Sequence, residues 1–298
     1  MDFDEGAAAD TGSVEDRRGG GFGGRGLAIG GGGVVGLIGL VLTLLLNGGG
    51  GGGGLGVDGT GFDQVAQPPA SSELAGQSCK AGTGPEGRID VFATCAFNDV
   101  QATWRDLFTR AGQDYRPTTL VLYSGQTTTG CGVGSSAAGP FYCPADEKVY
   151  LDTTFFTELR TKLGAGGDFA QAYVVAHEVG HHVQTVLGTS AQVDRARQKK
   201  PSQAAELSVR LELQADCYSG VWANAAQKAG SITLDPSDIP EAVNAAGQIG
   251  DDRLQKGAGR RVDPESFTHG SAEQRQTWLQ RGLSSGDPAS CDTFKSSP

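Results

Sequence analysis

In the run 168–187, DFAQAYVVAHEVGHHVQTVL, two histidines stand four residues apart with a glutamate directly after the first: His177-Glu178-Val179-Gly180-His181. On a helix of 3.6 residues per turn, His177 and His181 lie one above the other, so both imidazoles reach a single ion. Glu178 is offset around the helix, beside the ion rather than on it, where a carboxylate suits a general base acting on water. The flanks agree with a helix. Asp168 suits the N-cap, with Gln171 three residues on, and Gly188 suits the end. Gly180 inside a helix costs about 1 kcal/mol against Ala, which points to a close approach by another backbone or by substrate. Three of the chain's four histidines fall in this stretch. The third, His182, points away from the pair and is expected to be a partly exposed neighbour.

A zinc hydrolase of this kind needs a third protein ligand and one position left for water. A continuation with Gly at 184 and His at 187 would supply a third histidine, but those positions hold Gln184 and Leu187. The remaining source is a glutamate on a second helix, and 202–229, SQAAELSVRLELQADCYSGVWANAAQKA, supplies one. It carries Glu206 and Glu212. Glu212 is preferred because Asp216 follows one turn later on the same face. The first carboxylate then binds metal while Asp216 takes the free ring N–H of a histidine ligand. With Leu211, Leu213, Ala215, Cys217 and Val221 around them, two unpaired carboxylates here would be costly without a cation.

The 298 residues carry a net charge of −10, with −3 before Asn47 and −7 after it. No basic run is present, so nucleic acid is not an expected partner, and no organic cofactor is expected either. Residues 1–26 are polar and Gly-rich and are predicted to be a disordered, cytoplasmic N-terminus. Residues 27–46, LAIGGGGVVGLIGLVLTLLL, hold no charge over a length that spans a bilayer. Arg17, Arg18 and Arg25 precede this stretch, and the next basic residue after it is Lys80. The expectation is therefore a single-pass transmembrane helix at the cell membrane, in contact with lipid and with everything beyond Asn47 extracytoplasmic. Residues 47–77 read as a Gly/Pro-rich linker and 78–298 as the catalytic domain. All six cysteines lie beyond the span and none forms a C-x-x-C pair, which favours disulfides over a cysteine metal site. Pairing them as sequence neighbours joins 79 with 95, 131 with 143 and 217 with 291.

Within that domain, 98–111 reads as an amphipathic helix, 118–123 and 148–152 as strands, and the stretch between the strands as a long loop. Either 148–152 or the preceding GPFYCP is the candidate edge strand for an extended substrate. A short helix over 155–163 and another over about 240–254 have no evident chemistry. In THGSAEQR, Ser271 and Gln274 form a capping box for the last helix. His269 and Arg275 are candidate donors to the oxyanion of a tetrahedral intermediate, with Tyr173 and Tyr218 weaker ones.

Together AHEVGHHVQ, ELQADCYSGVW, GPFYCP and THGSAEQR resemble the putative neutral zinc metallopeptidases, a bacterial membrane-anchored family, over roughly residues 79–291. The ligand logic resembles that of the gluzincins, a group of HExxH zincins. The resemblance implies an α+β, zincin-like fold, mostly helical with a small sheet, that takes Zn2+ and cuts peptide or protein substrates. It implies His177, His181 and Glu212 as ligands, Glu178 as base and Asp216 as support for His177. THGSAEQR is similar to the H-P-S…R segment of the membrane-linked minigluzincins, with Gly270 where those have Pro. Two other readings compete: a catalytically silent, membrane-tethered assembly factor, and a zinc hydrolase of non-peptide cell-envelope amides.

Overall fold

The computed structural model describes residues 1–18, 73–83, 87–136 and 139–295. Two short strands come first, β1 (Asp2–Phe3) and β2 (Val14–Asp16). Helix α1 (Ile89–Arg110) leads to β3 (Thr119–Tyr123), the hairpin β4 (Gln126–Thr129) and β5 (Gly132–Ser135), then β6 (Phe141–Cys143) and β7 (Lys148–Asp152). Helices α2 (Thr154–Leu163), α3 (Asp168–Val186), α4 (Thr189–Lys199) and α5 (Ala204–Ala229) follow. After β8 (Ile232–Thr233) come α6 (Asp238–Gln248), α7 (Asp251–Gly257) and α8 (Ala272–Ser285). The architecture is α+β, mostly helical with small sheets.

The four-stranded sheet runs β2-β3-β7-β6, parallel except for the last pair, so β6 is an edge and β7 is interior. Of the two candidates for a substrate-pairing edge, GPFYCP is therefore the one with a side unpaired among the described residues. β6 lies along α3, the helix that carries the histidines. The core forms where α1, α3 and α5 pack, around Phe97, Trp104, Phe169, Val179 and Trp222. The Trp222 indole donates to Asp99 at 2.7 Å.

Small residues let the helices that carry the site approach closely. A Cβ on Gly180 would lie 3.2 Å from the Cα and carbonyl oxygen of Ala215 on α5, which accounts for a glycine in mid-helix. Between α5 and α8 the approach is closer still. A Cβ on Gly282 would lie 1.9 Å from the Cys217 carbonyl oxygen, and one on Gly220 2.3 Å from that of Leu279. All three cysteine pairings, Cys79–Cys95, Cys131–Cys143 and Cys217–Cys291, are present as disulfides.

Several expectations need correction. The N-terminal residues are not disordered up to Arg18. β2 adds in parallel to the edge of β3, β1 pairs with β8, and Arg18 is buried in ion pairs with Asp16 and Asp90. Their polarity is spent on partners far along the chain, which composition does not reveal. Helix α1 begins nine residues before the expected start at 98, because residues from Asp90 to Phe97 are buried all round and leave no periodic pattern. The long loop contains the β4–β5 hairpin. The single helix expected over 240–254 is two helices, broken at Gly250, where a Cβ would lie 2.4 Å from the Ala272 amide nitrogen. Asp168 is the first residue of α3 and not its cap, which is Gly167. The expected transmembrane helix at 27–46 and most of the linker at 47–77 lie outside the described residues. Among the described residues no helix is long and apolar enough to cross a membrane.

Candidate metal centre

Helices α3 and α5 cross at Gly180 and Ala215, and this contact brings the two sequence motifs face to face. Glu212 is buried with one carboxylate oxygen 3.2 Å from His177 Nε2 and the other 3.5 Å from His181 Nε2. One donor atom from each of His177, His181 and Glu212 can be chosen so that all lie within 4.8 Å of one another. The two rings are edge to face, with centroids 4.8 Å apart. Two imidazole nitrogens and one carboxylate oxygen are the protein donor set of a catalytic zinc site, so these residues fit the ion. Glu206, the alternative ligand, is exposed and pairs with Arg210.

Each histidine of the candidate site is held from behind through Nδ1, which leaves Nε2 to face Glu212. For His177 the partner is Asp216, as expected, at 2.9 Å. For His181 it is the side-chain carbonyl of Gln184, also at 2.9 Å. Asp216 has no exposure and accepts four bonds: from His177, from the Tyr173 hydroxyl at 2.6 Å, and from Nε and an Nη of Arg275, both at 2.8 Å.

That arrangement corrects the role expected of Arg275. Its guanidinium is fully buried on the Nδ1 edge of His177, opposite the edge that faces Glu212, a place that suits holding the ring and not an oxyanion. Instead it neutralises Asp216, so the carboxylate that orients His177 brings little net charge into the interior. Burial opposes the Asp216 carboxylate, but Arg275 and His177 hold it below the usual carboxylate range. Tyr173 is spent on the same carboxylate, and Tyr218 packs edge-on against Trp104.

Around these groups the electrostatics are mixed. Burial opposes the charged form of His177, yet the bond it donates to Asp216, the Asp216 charge and the bond it donates to Glu212 raise the imidazole to about 9. Burial likewise opposes the Glu212 carboxylate, but the His181 charge and the bond from His177 hold it far below its ordinary value. Glu178 is shifted the other way. It is 3% exposed, and burial raises its carboxyl above the ordinary range while the charges of His177 and His181 hold it back.

His269, from the loop before α8, is 3% exposed and close enough that its charge helps hold Glu212 low. Its Nδ1 meets Asp251 at 2.9 Å, and its Nε2 is buried with no partner among the described residues. Asp251 was missed in the sequence, where its helix carried no evident chemistry. Its carboxylate also accepts from the backbone amides of Thr268, His269 and Gly270, at 2.7, 2.7 and 3.2 Å. Gly270 has φ of +92°, a conformation closed to proline, so the loop differs in backbone from the H-P-S segment it resembles. The expected capping box of Ser271 and Gln274 is formed.

His182 departs from expectation too. It is fully buried, and its Nε2 donates to the Arg116 carbonyl at 2.6 Å. Its Nδ1 therefore accepts from the Tyr142 hydroxyl at 3.1 Å, which ties β6 to α3.

Comparison with known proteins agrees with this geometry. The family model described as "Putative neutral zinc metallopeptidase" matches residues 1–294. The uncharacterised protein YpfJ of Escherichia coli (strain K12) is 46% identical over 288 residues, covering 95% of either chain. The uncharacterised protein Rv2575 of Mycobacterium tuberculosis (strain ATCC 25618 / H37Rv) is 44% identical over 225 residues, 72% of this chain and 74% of its own. No solved structure matches. With the family model spanning nearly its whole length and a relative this similar over 95% of both chains, the chain belongs to the putative neutral zinc metallopeptidase family.

Proposed function

We propose that this protein is a zinc-dependent peptidase that hydrolyses peptide bonds in protein substrates. The observation that carries the reading is the buried Glu178 carboxyl beside the converging donors of His177, His181 and Glu212. A purely structural zinc site has no use for that carboxyl, which disfavours a silent assembly factor. Zinc, when bound, would supply Lewis-acid polarisation of the scissile carbonyl and make a water acidic enough to attack near neutral pH.

The chain's own residues divide the remaining work. Glu178 takes the proton of the attacking water and returns it to the leaving amine, a role suited to a carboxyl raised by burial. His269, held by Asp251, offers the oxyanion its Nε2, which has no partner among the described residues. The edge of β6, unpaired among the described residues, takes an extended substrate, antiparallel or parallel, through backbone hydrogen bonds. Asp216, Tyr173 and Arg275 keep His177 in place. The location we propose is a membrane, on the oxidising side that three disulfides favour, with residues 27–46 as the segment that meets lipid.

The test compares wild type with Glu178→Gln, both loaded with zinc, on a denatured protein mixture, reading new N-termini by mass spectrometry. Cleavages made by wild type alone, with equal zinc content in both, support the reading. Equal zinc and no cleavage by either protein would overturn it.

A further inference from the structure

The two ligand histidines are held by different chemistry, and the second arrangement reaches much further through the fold. Behind His181 stands Gln184, one turn later on α3, with no solvent exposure. Its amide nitrogen donates to the carbonyl of Leu211 at 2.7 Å and to Oε1 of Gln214 at 3.2 Å. A backbone carbonyl can only accept, so the amide is fixed with its oxygen toward His181. His181 Nδ1 must then carry a proton, and its Nε2 is the nitrogen that faces Glu212. Leu211 is the residue immediately before Glu212. One neutral side chain therefore clamps the second histidine to the backbone that carries the carboxylate ligand.

The chain of bonds continues. Gln214 is 5% exposed, and its own amide nitrogen donates to the carbonyl of Cys291 at 3.1 Å. Cys291 is bonded through sulfur to Cys217 on α5. Thr293 then donates to the Arg210 carbonyl at 2.7 Å, so the C-terminal segment is laced along the same helix.

We propose that Gln184 is the positioning residue for His181 and sets the separation of His181 and Glu212, and that Gln214, backed by the Cys291 carbonyl, holds Gln184 in its working orientation. The proposal rests on the zinc reading above. A neutral amide suits this place. His177 is already backed by an anion whose charge Arg275 cancels, whereas among the described residues no arginine or lysine is bonded to Gln184, so a carboxylate here would lack such a partner.

The experiment measures zinc affinity of the full-length apo chain by competition with a chromophoric chelator, alongside the melting temperature of each apo protein. Gln184→Leu keeps the volume and removes the acceptor, and it should weaken zinc binding by roughly 10–100-fold. Gln184→Glu, when protonated, still accepts from His181 and donates to Leu211, and should recover most of that loss. Gln214→Leu should fall between the two. A residue that only fills space would show the reverse pattern, with Leu tolerated and Glu harmful. Zinc affinity unchanged in Gln184→Leu overturns the proposal and leaves the zinc reading standing. Failure of wild type to bind zinc overturns both. If Gln184→Leu does not fold, nitrogen-15 NMR of the zinc-loaded wild type decides. A proton on Nδ1 of His181, with zinc on Nε2, supports the assignment, and the opposite tautomer overturns it.

Discussion

Replacing Asp216 with Asn should destabilise the fold by stranding a cation, and removing that cation should undo most of the damage. The carboxylate accepts from His177, Tyr173 and two nitrogens of Arg275 with no access to water. Asn offers one acceptor oxygen and presents an NH2 group where the other oxygen was. The guanidinium, itself fully buried, then faces a donor and loses the counter-charge bonded to it. Breaking one partner of such a pair costs about 3–5 kcal/mol. At roughly 2–4 °C per kcal/mol for a chain of this size, the melting temperature of the apo protein should fall by about 10 °C. The double variant Asp216→Asn/Arg275→Met removes the stranded charge and leaves Asn to accept from His177 or Tyr173. It should return to within about 1–2 kcal/mol of wild type in urea unfolding, since apolar replacement of buried pairs is often nearly neutral. Zinc affinity should stay weakened by roughly 10–100-fold in both variants, because an amide holds the His177 ring less firmly than a carboxylate. If the single variant unfolds within about 1 kcal/mol of wild type, or the double variant shows the sum of the two single costs, the pairing argument is wrong.

Other consequences follow from the same packing. His269→Ala should lower kcat by about 100–1,000-fold while zinc affinity stays near wild type, which steady-state kinetics and chelator competition together would show. Gly282→Ala places a methyl against the Cys217 carbonyl, forcing α5 and α8 apart. It should cost about 1–3 kcal/mol in urea unfolding and loosen the Asp216–Arg275 pair, because each helix carries one partner. For pH, Asp90 is informative: burial opposes its charge, but Arg88 and Arg18 hold its carboxyl below the ordinary range. A lowered carboxyl stabilises above the unfolded value of about 3.9 and loses that contribution as pH falls through the folded one. Hydrogen exchange of residues 14–18 should therefore accelerate as pH drops below about 4, once corrected for intrinsic rates; protection unchanged there would show that the Arg18–Asp90 pair does not hold the strand.

What the sequence made legible was local or covalent. The spacing of His177 and His181, the pairing of Glu212 with Asp216, and the Ser271 capping box all depend on helix periodicity. They appear in the structure where expected. The disulfides followed from neighbour pairing. What stayed hidden depends on contacts between distant segments. Val14–Asp16 has no strand signature of its own, and its hydrogen bonds come from a strand more than a hundred residues later. Arg17 and Arg18 looked like the charged flank of a membrane span and turned out to be bonded to Glu15, Asp16 and Asp90. Arg275 and Asp251 were legible as charges but not as partners, because the helices that bring them to Asp216 and His269 meet only in the folded chain. Gln184 registered in the sequence merely as the absence of a glycine, since a neutral amide carries no signal until its three partners surround it.

The N-terminal strand also bears on which side of a membrane each part of the chain lies. Paired strands lie about 4.8 Å apart, whereas the apolar core of a bilayer is about 30 Å thick. β2 takes its register from Leu120 to Leu122 of β3, and Arg18 is buried against Asp90 of α1. The pairing predicts that Val14–Asp16 and residues 89–295 lie on one side of any membrane. The expected arrangement, residues 1–26 in the cytoplasm and 78–298 outside, would pull β2 out of the sheet and leave Asp90 without Arg18. Single cysteines at exposed Glu5 and at Val133, which is 61% exposed, would decide the matter, since the six native cysteines are all paired. Both should react with a membrane-impermeant maleimide in sealed cells, without permeabilisation. Labelling of Val133→Cys before permeabilisation and of Glu5→Cys only after it would show that the chain crosses once and that the β2–β3 pairing does not exist in the membrane.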